Sequence, residues 1–301
     1  MEVIVLSGGL GNQMFQYAFF LAKKEQNNDI AIDTYSIQRE GLHNGFELNR
    51  LFGIDDKYRS LIVRIARKLL IFNKKRGTKT ITSFLLQLIK LSGITIIQEK
   101  DYSAFNPSYL SPRKKKAFYF GFWQTPLYFQ EIEDKIRDTF SFDKLQLSPK
   151  SANLLIEIKS EESVSIHIRR GDFLKKENKQ YQNICTSEYY KMAISSIKTK
   201  IENPFFVVFS DDSEWVKENL PLDNAIYVNW NSGINSWEDL ALMSKCKHNI
   251  IANSTFSWWG AWLNENKNKL VLAPEQFLNN TKTPDIYPKD WITVERVKGK
   301  R

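Results

Sequence analysis

Only two cysteines, Cys185 and Cys246, occur in the 301 residues, far apart and without metal-type spacing. That excludes a disulfide-stapled scaffold and makes a reduced cytosolic setting the simplest inference. Three histidines, His43, His167 and His248, are too few and too scattered for a zinc site. No apolar run approaches the length of a transmembrane helix. Near the amino terminus Glu2 interrupts the charge pattern of a secretory signal, and the apolar residues 3–6 stop at Gly8-Gly9, so no signal peptide is expected. Internal repeats and low-complexity tracts are missing as well. What is present is a chain 42% hydrophobic and 26% charged, enough to bury the core of one large domain or two of ordinary size. Its 43 Lys and Arg against 34 Asp and Glu leave a net charge of +9, which suits an acidic ligand, a membrane surface or nucleic acid without choosing among them.

The residue order reads as alternating strands and helices. Val3-Ile4-Val5-Leu6 is a strand, Ser7 to Gln13 a glycine-containing loop, and residues 14–24 a helix with Phe15, Tyr17, Ala18 and Leu21 on its apolar side. Ile30-Ala31-Ile32-Asp33 follows as a second strand. Residues 61–79 set Arg64, Arg67, Lys68, Lys74, Lys75 and Arg76 among Leu61, Ile62, Ile65, Leu69 and Leu70, the pattern of a basic amphipathic helix. Such a helix can lie on an anionic membrane; the favoured reading is a solvated charged face over an ordinary core stripe. A second helix is expected over 84–91, strands over 94–98 and 117–123, and a helix over 124–140. Residues 141–150, with Pro149, are the best linker. Beyond it, strands are expected over 164–169, 205–210, 225–228, 248–252 and 270–272, and helices over 187–200, 213–219, 237–245 and 257–265. This rhythm implies α/β architecture, with parallel sheets covered on both faces in two Rossmann-like halves and a cleft between them.

The stretch Val164-Ser165-Ile166-His167-Ile168-Arg169-Arg170-Gly171-Asp172 carries the most chemistry. Adjacent guanidiniums at the carboxyl end of a strand stand where open α/β sheets bind ligands, and a guanidinium grips phosphate oxygens in pairs at any physiological pH. Strand alternation puts Arg169 on the face of His167 and Arg170 on the other, which favours Arg169 as the phosphate clamp. The plainer reading is a buried strand whose arginines pair with surface acids. Gly9-Leu10-Gly11 resembles a dinucleotide fingerprint, but Met14 replaces the third small residue, so it fails as one. Its amides and Asn12 can still meet a phosphate or sugar, or the loop is simply a tight turn. Ser210-Asp211-Asp212-Ser213 can chelate a divalent metal, accept hydrogen bonds from a base and ribose, or cap the next helix. Asn253-Ser254-Thr255-Phe256-Ser257, at a helix start, is an anion cradle; its glycosylation sequon is a poor acceptor between a buried strand and a tryptophan-rich helix, and Trp258, Trp259 and Trp262 read as core. Residues 229–235 match no assignable pattern.

Four of these segments, Gly8-Gly9-Leu10-Gly11-Asn12-Gln13-Met14-Phe15-Gln16-Tyr17-Ala18, His167-Ile168-Arg169-Arg170-Gly171-Asp172, Phe209-Ser210-Asp211-Asp212 and Asn253-Ser254-Thr255-Phe256-Ser257-Trp258-Trp259, together and in this order resemble the inverting α-1,2-fucosyltransferases of glycosyltransferase family 11. The resemblance spans nearly the whole chain, least across the basic segment 59–79 and after residue 280. It implies a GT-B fold, with residues 1–145 a Rossmann-like acceptor-side domain and 146–301 a Rossmann-like GDP-fucose-binding domain. It implies too that His167 and one carboxylate of Asp211-Asp212 meet the guanine side and that Arg169, rather than Arg170, serves the β-phosphate, with Arg170 among the GDP-fucose-binding residues. Ser254, Thr255 and Ser257 then cradle the diphosphate, Asn12 reaches it from the other domain as a catalytic residue, and Phe256, Gly9 and Gly11 count among the GDP-fucose-binding residues. No cofactor and no metal are implied, GDP-fucose being the donor substrate and a galactose-terminated glycan, as in bacterial O-antigen, the acceptor.

The expected reaction is in-line displacement at the anomeric carbon. Arg169 stabilises charge on the departing GDP, and Asp172, with Glu177 behind it, takes the acceptor's proton. The enzyme would be cytoplasmic, with no nucleic-acid partner; peripheral contact with the inner face of the membrane is left open. Two rivals remain: a metal-dependent GT-A transferase using Asp211-Asp212, and a non-catalytic basic binding module.

Overall fold

The computed structural model describes residues 1–35, 37, 44–55, 58, 60–73 and 79–295. His43, Arg59, Lys74, Lys75 and Arg76 from the sequence reading lie outside the described residues. The chain divides into two compact units, Met1–Ser141 and Phe142–Arg301.

The first unit is built on a parallel sheet ordered β2-β1-β4-β3, from β1 (Glu2–Val5), β2 (Ile30–Asp33), β3 (Thr95–Gln98) and β4 (Ala117–Phe120). Helix α1 (Leu10–Lys24) follows β1 and is buried almost all round, because Phe19 stacks on Trp123 at 4.4 Å and Phe15 meets Phe129. A buried ion pair closes this core: Lys23 Nζ lies 2.8 Å from Glu2 Oε2, both side chains wholly buried, and donates also to the carbonyl of Tyr109 at 2.9 Å. Glu2 accepts further bonds from the Tyr119 hydroxyl, the Arg113 amide and Asn27. After the short α2 (Glu47–Phe52), helices α3 (Leu61–Asn73) and α4 (Lys79–Leu91) pack side by side. Val63 and Ala66 of α3 join Val3, Val5, Ile94 and Phe118 in one cluster.

Two expectations are corrected here. The apolar residues read over 61–79 as an ordinary core stripe beneath a charged face are not all core: Leu61, Ile62 and Ile65 of α3 are exposed beside Lys68, while Val63, Ala66 and Leu70 are the buried ones. Residues 124–140 are not one helix either. Thr125 caps a single turn at Pro126–Tyr128, a second turn follows at Gln130–Ile132, and only α5 (Glu133–Thr139) is α-helical.

The second unit begins with α6 (Pro149–Ser160), capped by Ser148, a helix the sequence reading did not anticipate. Its sheet is parallel throughout, ordered β10-β9-β8-β5-β6-β7, from β5 (Ser163–Ile168), β6 (Phe205–Ser210), β7 (Ala225–Val228), β8 (His248–Ile250), β9 (Val271–Pro274) and the unforeseen β10 (Ile292–Val294). Helices α7 (Ser187–Lys198), α8 (Ser213–Asn219), α9 (Trp237–Lys245) and α10 (Thr255–Leu263) connect the strands. Both faces of the sheet are covered, which is why β6 is a continuous apolar run. Phe206 and Val208 pack with Ile166, Tyr190 and Ile194 on one side, while Phe205, Val207 and Phe209 pack with Leu154, Leu242 and Met243 on the other. The α/β class and the two Rossmann-like sheets read from the sequence are thus what the structure holds. No helix among the described residues is long and apolar enough to cross a membrane.

Candidate active site

Strand order selects the site. In the second unit the chain runs outward from β5 through β6 to β7, then returns to lay β8 on the other side of β5. The connections leaving β5 and β8 therefore diverge and open a crevice at the strands' carboxyl ends, the place where open α/β sheets take ligands. The loop after β5 brings Arg169, Arg170 and Asp172 there, and the loop after β8 brings the amino end of α10.

Along β5, Ser163, Ser165 and His167 occupy the face opposite Val164, Ile166 and Ile168. Ser163 Oγ donates to the Ile158 carbonyl at 2.8 Å, and Ser165 Oγ accepts from Asn249 Nδ2 at 2.7 Å. His167 is the exception in this polar row. It is 6% exposed, its ring centroid lies 5.8 Å from that of Phe256, and its Nδ1 has no hydrogen-bond partner among the described residues. Burial, helped by the Arg169 charge, lowers its pKa to about 3, so the imidazole is neutral. A buried ring nitrogen without a partner is costly unless a ligand supplies one.

The two arginines part at the end of the strand. Arg170 lays its guanidinium 3.9 Å over the Trp215 ring and donates from Nε to Asp212 Oδ2 at 2.9 Å. Arg169 donates from Nε to Asp172 Oδ1 at 2.8 Å and places Nη1 3.4 Å from Asp211 Oδ2, leaving Nη2 without a protein partner among the described residues. Asp211 also accepts the Arg170 amide at 2.8 Å, and Asp212 caps α8 by accepting the Trp215 amide at 3.2 Å. A Cβ at Gly171 would stand 2.9 Å from Asp211 Oδ2, so that carboxylate would have to move to admit one. Glu177 lies exposed on a short turn, Lys176–Asn178.

Ser254 caps α10 by accepting the Phe256 amide at 3.3 Å. Ser257 is buried, with its Oγ accepting the Ala252 amide and donating to the Ser254 carbonyl, so its hydroxyl builds the turn. What favours an anion at this helix start is its partial positive charge, the Phe256 amide being already taken by the Ser254 cap. Asn253 is buried with its amide donating to the carbonyls of Tyr181 and Phe277, and Trp258, Trp259 and Trp262 are core, as the sequence suggested.

In the first unit the glycine loop lies at the corresponding reversal, between β1 and β4. Gly8 has φ +81°, and a Cβ would collide with Asn12 Nδ2. Gly9 is the residue before α1, and Gly11 lies within its first turn. Asn12 Oδ1 accepts from Gln124 Nε2 at 2.8 Å, Gln13 ties Gly8 to Gly45, and Gln16 ties Ser7 to Gly121. Gln124, which sequence reasoning missed, sits beside Trp123, a non-glycine residue at φ +57° whose amide, like that of Phe122, donates to Glu99 Oε2. Burial raises the Glu99 pKa. Neither Gln124 nor Glu99 carries a motif; three-dimensional proximity alone reveals them. On α9, Asp239, which accepts from Asn231 Nδ2 at 2.8 Å, is pushed up to about 7 by burial.

A parallel α/β unit that sets an exposed guanidinium and a helix start at its switch point is the construction of a protein that holds a phosphorylated ligand. The profile of Glycosyl transferase family 11 matches residues 1–295. The chain belongs to that family and is a glycosyltransferase. It is 32% identical to an alpha-1,2-colitosyltransferase of Escherichia coli across 98% of this chain and 100% of that protein. It is 30% identical to the O-antigen biosynthesis glycosyltransferase WbnK of Escherichia coli, across 96% and 99%. Galactoside alpha-(1,2)-fucosyltransferase 1 of Lagothrix lagotricha matches at 25% identity over 56% of this chain and 49% of that one. Among solved structures, the fucosyltransferase NodZ from Bradyrhizobium aligns at a TM-score of 0.47 and 13% identity, covering 86% of this chain and 91% of that one.

Proposed function

We propose that this chain transfers L-fucose from GDP-β-L-fucose to the 2-hydroxyl of a terminal galactose in a glycan of the O-antigen kind, with inversion and without a metal. The observation that carries the proposal is Arg169, held on one side by Asp172 and Asp211 and without a partner at Nη2 among the described residues, at the switch point beside a helix start. In the reaction the bond from the anomeric carbon to the β-phosphate oxygen breaks and its electron pair stays on GDP. The acceptor oxygen forms the new bond and gives its proton to a carboxylate. A preorganised guanidinium favours that charge development more than it favours the ground state.

The neutral His167 and a carboxylate of Asp211-Asp212 serve the guanosine, and the residues from Ser254 to Ser257 the diphosphate. In the first unit, Asn12, with Gly9 and Gly11, stands at that sheet's own switch point, where open α/β sheets take ligands. Asp172 is the first candidate for the base and Glu177 the second. The bond from Arg169 also supports a positioning role for Asp172, and Asp172→Asn separates the two: a lost base leaves donor affinity intact, whereas lost positioning weakens it.

The test is incubation with GDP-fucose and a panel of β-galactosides, with product linkage determined. Absence of any fucosylated product would overturn the proposal. A second reading has one observation in its favour, the colitosyltransferase relative. Colitose is fucose without its 3-hydroxyl, so a site that hydrogen-bonds that hydroxyl prefers GDP-fucose by several orders of magnitude. A preference for GDP-colitose in kcat/KM selects the second reading.

A further inference from the structure

Helices α3 and α4 of the first unit face outward with the side chains a core helix turns inward. On α3, Leu61, Ile65 and Phe72 are 67%, 45% and 45% exposed; on α4, Ile81, Phe84 and Leu91 are 67%, 62% and 76% exposed. The inward faces are small by comparison, Val63, Ala66 and Leu70 on α3 and Thr82 and Leu86 on α4. An ordinary surface helix presents polar residues to water, and contiguous exposed apolar surface rimmed by charge marks an interaction site.

The charge distribution identifies what covers this one. Residues 58–98 contain nine Lys and Arg and no Asp or Glu, which equals the whole net charge of +9; the rest of the chain has 34 basic and 34 acidic residues. A protein partner would match one patch of such a face. A sheet of negative headgroups over an apolar interior matches both of its properties at once, with the apolar side chains entering the acyl boundary and the cations staying among the phosphates.

We propose that the α3–α4 pair is a docking face for an anionic phospholipid bilayer. The inference is independent of which sugar the enzyme transfers, and its test contains no sugar. The full chain is floated with vesicles of phosphatidylcholine alone or mixed with phosphatidylglycerol, at low and high salt. The expected result is binding to the anionic vesicles at low salt, weak binding to neutral ones, and loss as salt rises.

Ile81→Glu with Phe84→Glu, both exposed positions, should remove vesicle binding without shifting the melting temperature. Lys68→Gln with Lys90→Gln, also exposed, should weaken binding by about fivefold per charge removed and decides the matter if the glutamate variant misfolds. No flotation with anionic vesicles at low salt, or flotation undiminished in a folded glutamate variant or in the glutamine variant, would overturn the proposal. So would a dimer in sedimentation equilibrium that the glutamate variant dissolves while vesicles remain unbound.

Discussion

Replacing Arg169 with lysine separates the charge of the proposed clamp from its shape. Arginine here uses Nε for Asp172 at 2.8 Å and Nη1 for Asp211 at 3.4 Å, and its Nη2 has no protein partner among the described residues. A lysine ammonium is a single point charge, and one that reaches either carboxylate no longer reaches a β-phosphate with a planar fork. Arg169 and Asp172 are each 36% exposed, so their ion pair is screened and its loss costs the fold no more than about 1 kcal/mol. The catalytic loss is larger. A donor aimed at charge that develops in the transition state is worth about 10²–10³ in turnover, or about 2.7–4 kcal/mol. Arg169→Lys should therefore melt within a few degrees of the parent and lose at least about a hundredfold in kcat. Single-turnover formation of fucosylated galactoside, with thermal unfolding followed by circular dichroism on the same preparation, measures both. A folded Arg169→Lys enzyme with parental kcat would refute the clamp. Arg170→Lys, stacked on Trp215 and paired with Asp212, should do less to turnover.

Gly171→Ala pushes a methyl group to 2.9 Å from Asp211 Oδ2, so Asp211 must shift; steady-state assay should show kcat/KM down by about tenfold or more, and an unchanged value would show that the carboxylate's position is unimportant. Lys23→Met strands the Glu2 carboxylate in a fully buried site and should cost about 3–5 kcal/mol in urea unfolding; a loss below about 1 kcal/mol would mean the pair is not buried as described. His167 holds its pKa near 3 in the folded state against 6.5 unfolded, so below pH 6.5 the unfolded chain takes up the proton first. Stability should then fall as pH drops, by up to about 1.4 kcal/mol per pH unit between 6.5 and 5 from this group, and denaturant titrations of His167→Gln should show a slope shallower by that amount. Saturating EDTA should leave the initial rate nearly unchanged; loss restored by Mn²⁺ would favour the metal-dependent reading.

The residue pattern by itself determined the α/β class, the two Rossmann-like sheets and the segments that end at the candidate site. Local constraints suffice for these: β6 needs an unbroken apolar run because both its faces are covered, and a guanidinium does not end a buried strand without a function or a partner. Family membership was legible for the same reason, since its four motifs are short and local. The strand order was not, because parallel strands are paired by crossovers whose destination no local pattern records. Only the return of β8 to the side of β5 brought residue 254 to the crevice of Arg169. Likewise, only folding showed that Ser257 builds a turn, that Gln124 braces Asn12 and that Asp172 holds Arg169. The outward face of α3 was misread for a related reason. Periodicity reports that a helix has an apolar stripe, but how much of that stripe the sheet covers depends on what else packs there, and tertiary structure alone decides it.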